Sequence, residues 1–192
     1  MNQWISGAII AATLWAPACA TQPPEEPAQS SVADNPLSFM FGEWTGIAKG
    51  VGYNATPFEV KQTERVGPML DGAVTVIEGS GFSTSGEMSF NAFAIVSYDK
   101  KRNEWEIRSY TNGYVGTFPF EPKEDGYVWS TPAGPDAVMR YTAQFEGDIW
   151  REIGEYVPTS GEPRKTYEMT LKRIGDTDWP SAGAVVPPDV AN

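Results

Sequence analysis

With 192 residues, 41% of them apolar and including 7 Trp, 8 Tyr and 9 Phe, the chain has material for one domain with a real core. Its formal charge of −11 is the wrong sign for a nucleic-acid partner or an anionic membrane surface. No histidine and one cysteine exclude a Ser-His-Asp or Cys-His triad, His-ligated zinc or haem, and an internal disulfide.

Residues 1–20, MNQWISGAIIAATLWAPACA, have an apolar centre and a small-residue end. The run falls short of the roughly 20 apolar residues of a membrane span and fits a secretory signal. Ala18-Cys19-Ala20 is an A-x-A site that would release a soluble protein. Cleavage before Cys19 would instead leave a cysteine for a lipid, as in bacterial lipoprotein signals, although no Lys or Arg precedes the apolar run. Residues 21–35, rich in Pro, Ser and acid, have the composition of a flexible tether. The expected location is therefore outside the cytoplasm, periplasmic or lipid-anchored in a bacterial envelope. Membrane contact is expected only through a lipid on Cys19.

Residues 36–174 read as strands. The segment opens with LSFMFGEWTGIAKG, in which Leu37, Phe39, Met40 and Phe41 suit a short helical lid. Trp44, set between Gly42 and Gly46, suits a plug where the chain enters a barrel, with small neighbours that let other strands approach. FEVKQTERV then alternates cleanly and predicts an inner face of Phe58, Val60, Gln62, Glu64 and Val66. Asp71-Gly72 turns the chain into AVTVIEGSGF, followed by MSFNAFAIVSYD, the Lys-Lys-Arg-Asn turn, EWEIRSYTNG, VGTFPFEP, YVWSTP, AVMRYTAQFE, DIWREIGEYV and RKTYEMTLKRI. About ten strands joined by short turns, with 19 Gly and 16 Pro, predict antiparallel pairing of sequence neighbours. Full closure would remove the two exposed edges. The expected fold is all-β: a single antiparallel up-and-down β-barrel of about ten strands, with a β-sandwich as the alternative. Residues 175–192 carry no strand pattern and are expected to form a loose tail.

The ordered motifs FMFGEWTG, ERVGPMLDG with IEGSG, the SYD of Ser97 to Asp99, the RSYTNG of Arg108 to Gly113, and IWREIGE resemble the bacterial family called domain of unknown function 1579. The G-x-W of FGEWTG also resembles the start of lipocalin-like barrels. The resemblance covers Leu37 to Ile174 and implies a calycin-type barrel with no established activity. The neighbouring nitrobindin-like barrels hold haem through a histidine, which this chain lacks. No cofactor is therefore expected.

A barrel of this size can enclose a small ligand, so polar residues on inner faces are the informative ones. Arg108 and Tyr110 share a face, Glu78 lies among Val74, Val76 and Ser80, and Glu155 lies among Ile149, Ile153 and Val157. The expectation is that Arg108 and Tyr110 project inward and meet Glu64, Glu78 or Glu155. Arg108 would then bind a ligand carboxylate and Tyr110 would donate a hydrogen bond. Phe118 and Phe120, which share a face, are the aromatic residues expected in the pocket. Three functions follow: a carrier of a small, largely apolar or carboxylate-bearing molecule, an acid–base enzyme using Glu64 with Glu78, and a scaffold barrel without a ligand. The first is preferred. No metal site is expected, because no acidic run has the spacing of a calcium loop.

Overall fold

The protein is described by a computed structural model that covers residue 32 and residues 35–52 and 55–180. The candidate leader and its lipid site at Cys19 lie outside the described residues, as does most of the tether. Ten strands follow one another: β1 (Gly42–Val51), β2 (Pro57–Met69), β3 (Val74–Phe82), β4 (Met88–Asp99), β5 (Glu104–Thr111), β6 (Tyr114–Lys123), β7 (Gly126–Pro132), β8 (Ala137–Glu146), β9 (Ile149–Pro158) and β10 (Arg164–Gly175). Each pairs antiparallel with its sequence neighbours, and β1 pairs with β10, so the sheet is a closed barrel rather than a sandwich.

Closure depends on close approach at one point. Gly46 of β1 lies opposite Leu171 of β10, and a Cβ on Gly46 would stand 2.0 Å from the Thr170 carbonyl oxygen. Any side chain there would push the first and last strands apart.

One end of the barrel is sealed by the residues that precede β1. Asn35, itself buried, donates from Nδ2 to the Gly72 carbonyl (2.9 Å) and to Thr75 Oγ1 (3.0 Å), and accepts from the Leu37 amide (2.8 Å). This ties the entering chain to the β2–β3 turn. A 3-10 turn at Ser38–Met40 then lays Leu37 and Met40, both fully buried, across the opening. Trp44 stands beneath them. Its indole Nε1 donates to the Met40 carbonyl at 2.9 Å, and its ring meets Phe145 and Trp150 edge-on with centroids 5.5 and 5.8 Å away. Phe39 closes the group against Phe145 at 5.0 Å. The indole thus has both its apolar area and its one donor satisfied, as a buried Trp requires.

The outer wall carries ion pairs among exposed apolar residues. Ion pairs Lys49–Glu168, Arg65–Glu43 and Arg140–Glu155 run across neighbouring strands. Residues 176–180, expected to be loose, lie against this wall instead. Thr177 and Trp179 pack on Gly67, the Arg65 guanidinium sits 5.6 Å from the centre of the Trp179 ring, and Asp178 accepts from Arg65 at 3.2 Å. Residues 181–192 lie outside the description.

Trp44→Ala should lower the unfolding free energy by about 3–5 kcal/mol, the usual loss for a large buried aromatic side chain. Urea unfolding followed by circular dichroism reads this directly. A loss below about 1 kcal/mol would mean that Trp44 does not hold the closed end together.

Candidate functional site

Above the Trp44 layer the lumen is hollow. A cavity of about 530 Å³ extends from Trp150 and Met169 toward Phe58, Ser89 and Phe90, near the β1–β2 and β3–β4 turns. The open mouth therefore lies opposite the sealed end. Each lining side chain comes from the inward-facing register of its strand. Cross-strand neighbours form belts: Phe120, Trp129, Tyr141, Gly154 and Tyr167 in one, and Tyr127, Ala143, Glu152, Met169 and Ala48 in another. Trp129 stacks on Tyr141 with ring centroids 4.6 Å apart, giving the wall a flat aromatic panel.

Two carboxyl groups interrupt this apolar lining. Glu64 comes from β2 and Glu152 from β9, and among the described residues no Lys or Arg lines the cavity with them. Glu64 accepts from Gln62 Nε2 at 2.7 Å, and both its oxygens lie against Gly79, where a Cβ would stand 2.6 and 2.7 Å from them. The missing side chain at residue 79 is what leaves space for the carboxyl. Glu152 is 8% exposed and accepts from the Tyr127 hydroxyl through Oε2. Its other oxygen takes no hydrogen bond from the described residues. Trp150, also on the cavity wall, has a buried indole N–H without an acceptor among the described residues. Arg173, at the sealed end, is engaged with the Phe41 carbonyl and Asp176 and does not reach the cavity.

An ionised carboxylate without a cationic partner is costly in such surroundings. Burial pushes Glu64 up to about 8, with the charges of Glu152 and Glu78 adding to it and the Gln62 hydrogen bond opposing it. Burial likewise pushes Glu152 up to about 7 against the Tyr127 hydrogen bond. Tyr141 rises to about 12 by burial and the nearby Glu152, and burial with the Glu152 charge raises Tyr127 and Tyr167 as well. Glu64 and Glu152 therefore hold protons near neutral pH that carboxyl groups in water would release. Among the described residues no three His, Cys, Asp or Glu side chains converge as a metal would require.

The residues singled out from sequence divide between the two faces. Glu64 and Phe120 line the cavity, and Phe118 is an inner-face neighbour, with its ring 6.2 Å from Trp129. Trp44, Gly42 and Gly46 stand at the sealed end and the β1–β10 seam. Arg108, Tyr110, Glu78 and Glu155 do not enter the lumen. Arg108 is exposed on the outer wall, where Nε donates to the Tyr110 hydroxyl at 2.9 Å and NH1 to Thr117 at 3.4 Å. The same strand turns Trp105, Ile107 and Ser109 to the other side, and Ile107 and Ser109 line the cavity. Glu78 shares a shallow outer groove with Phe93 and Tyr110. Glu155 pairs outside with Arg140 at 2.8 Å. Glu152 was missed. Its signal was the alternation Trp150-x-Glu152-x-Gly154-x-Tyr156, which puts aromatic rings and a glycine on the face opposite Ile149, Ile153 and Val157.

No family model matches this chain, and no curated protein matches it. Among solved structures it is similar to the crystal structure of Rv2717c from M. tuberculosis, with a TM-score of 0.53 and 12% identity over 72% of this chain and 94% of that one. At that identity the likeness is one of fold.

Glu64 holds its proton more tightly folded than unfolded, so its contribution to stability is complete below its unfolded value near 4.5. That contribution is lost as pH climbs toward about 8. The urea midpoint of the wild-type protein should fall between pH 5 and 8.5 more steeply than that of Glu64→Gln, and the variant should be the more stable of the two at pH 8.5. Parallel pH profiles would show that Glu64 is not desolvated as described.

Proposed function

We propose that the protein is a carrier: a calycin-type barrel, exported to the cell envelope, that holds a small and largely apolar molecule in its lumen. The observation that supports this most is the 530 Å³ cavity, closed at one end and open at the other, with an aromatic wall and few polar groups. That is the usual make-up of a small-molecule site, in which apolar area supplies affinity and a few polar atoms set orientation. Export rests on residues 1–20, with release after Ala20 and lipidation of Cys19 as its two possible outcomes. The carboxylate clamp proposed for Arg108 has no place in this reading, because that side chain is on the outside.

A second reading, acid–base catalysis by two carboxyl groups, is favoured by one observation. Glu64 and Glu152 both keep protons near neutral pH inside one cavity, as a proton-transferring pair must. In that reading Glu152 replaces Glu78. Chemical change in a captured compound on incubation with wild-type protein, absent with Glu152→Gln, would turn the carrier into an enzyme.

The neutral fluorescent probe N-phenyl-1-naphthylamine should bind the purified barrel one to one, with energy transfer from the lumenal tryptophans. Ala92→Phe, which places a ring in the cavity from β4, should weaken binding at least tenfold while the fold is retained by circular dichroism. Unchanged binding in a folded Ala92→Phe protein would move the site out of the lumen.

A further inference from the structure

Among the described residues the lumen has acid and no base: Glu64 and Glu152 are the lining groups of formal charge there, and no described lysine or arginine lines the cavity with them. The groups that bear on the pair are Tyr127 of β7, Tyr141 of β8, Tyr167 of β10 and, from the outer side of β3, Glu78. None of these is a cation. The neutral partners are equally informative. Gln62 and Tyr127 each use a donor on one oxygen of a carboxyl group, and the second oxygen of Glu152, a residue 8% exposed, takes no bond from the described residues. On the outer wall the chain pairs its acids readily, as Glu155 with Arg140 and Glu43 with Arg65 show. The missing positive charge is therefore specific to the interior.

We infer that the molecule carried here has a cationic nitrogen as its head group, seated against Glu64 and Glu152, with an apolar or aromatic body lying along the Trp129–Tyr141 panel. This rests on the carrier reading and adds the class of ligand. An ammonium has donors for the vacant carboxylate oxygen and supplies the charge that the barrel itself omits. Aromatic faces around the head group favour the same sign of charge. The net charge of −11 draws cations toward the mouth and repels anions. A carboxylate-bearing ligand, which an inward Arg108 would have welcomed, meets two acids and no base.

Entry of the cation has a proton balance. The amine arrives protonated and stays so, a carboxyl group ionises to pair with it, and the displaced proton leaves to solvent. Binding of the amine should therefore tighten as pH rises through the range in which Glu64 and Glu152 would otherwise keep their protons.

Three probes of matched shape test this: 4-phenylbutylamine, 4-phenylbutanol and 4-phenylbutanoate, titrated calorimetrically into the full chain between pH 6 and 8.5. The expected order is amine, then alcohol, then carboxylate. The amine should be at least tenfold tighter than the alcohol at pH 8, its affinity should rise severalfold from pH 6 to pH 8, and up to one proton should be released per amine bound. Glu152→Gln and Glu64→Gln should bring the amine down toward the alcohol and leave the alcohol unchanged. Because proton release is measured on the wild-type protein, the test survives a variant that fails to fold. Carboxylate binding equal to or tighter than amine binding, or alcohol binding with no preference for the amine and no proton release, would overturn the charge assignment while leaving the carrier intact. If none of the three probes nor N-phenyl-1-naphthylamine binds the folded protein, the carrier reading falls and this inference with it.

Discussion

The structure depends on the pairing of β1 with β10. A ten-stranded meander has its first and last strands free until they meet, and each would be an unpaired edge open to other chains. Here they meet over eight residue pairs, from Glu43–Gly175 to Gly50–Tyr167, and the seam is drawn in at Gly46. Trp44 is in the same stretch of β1. The strand that completes the ladder thus also carries the ring that fills the sealed end, and Asn35 holds the preceding turn over it. Closure and sealing are one event in space. That division gives the barrel a solid half, with Leu37, Met40, Trp44, Phe145 and Leu171 packed together, and a hollow half above it.

The hollow half is maintained at a cost in stability. Burying two carboxyl groups without a basic partner is unfavourable by an amount that grows as they ionise, of order several kcal/mol per uncompensated charge. The barrel limits this by keeping the groups protonated and by giving each one neutral donor. Apolar residues of similar volume would be more stable in both places, and cross-strand register is already specified by the alternating inner face. Glu64 and Glu152 are thus hard to explain as stability devices. Surface charge shows the contrast: Glu168, held between Lys49 and Lys165, is pulled down to about 2, the opposite direction from the lumenal acids.

Much of the architecture was legible in the sequence, since period-two patterning and turn signals such as Asp71-Gly72 and Gly147-Asp148 are local properties of the chain. Which face points inward was less legible, and the site depends on that. In β2 the two faces differ sharply in polarity, so Phe58 to Val66 were placed correctly. In β3 the outer face carries Val74 and Val76, which look internal. Val76 is indeed buried, but from outside: its partner Gly67 lies under Thr177 and Trp179, beyond the last strand. In β9 both faces are apolar, because β-branched residues suit a strand on either side. Ile153 ends up 44% exposed while Trp150 is 2% exposed. Misreading these two strands put Glu78 and Glu155 on the inner face and left Glu152 out. Arg108 was a different error, in which a charged residue was turned inward although Trp105 and Ile107 give the other side of the same strand its apolar face.

Aromatic weight in a single strand is therefore a better guide to the lumen than apolar character in general. Ile and Val tolerate the outer wall of this barrel, but the large rings of β7, β8 and β9 nearly all turn inward: Tyr127 and Trp129, Tyr141 and Phe145, and Trp150. A ring on a convex outer wall gains little burial, whereas on the concave side it meets neighbours from three or four strands. The rule also explains why the two acids found in the cavity among the described residues lie where they do. Glu64 is in register with Trp44 across the β1–β2 ladder, and Glu152 follows Trp150 by two residues. Both carboxyl groups stand at the floor of the cavity, on the layer of indoles that separates it from the packed half. A ligand must pass its whole length through the mouth before its head reaches them.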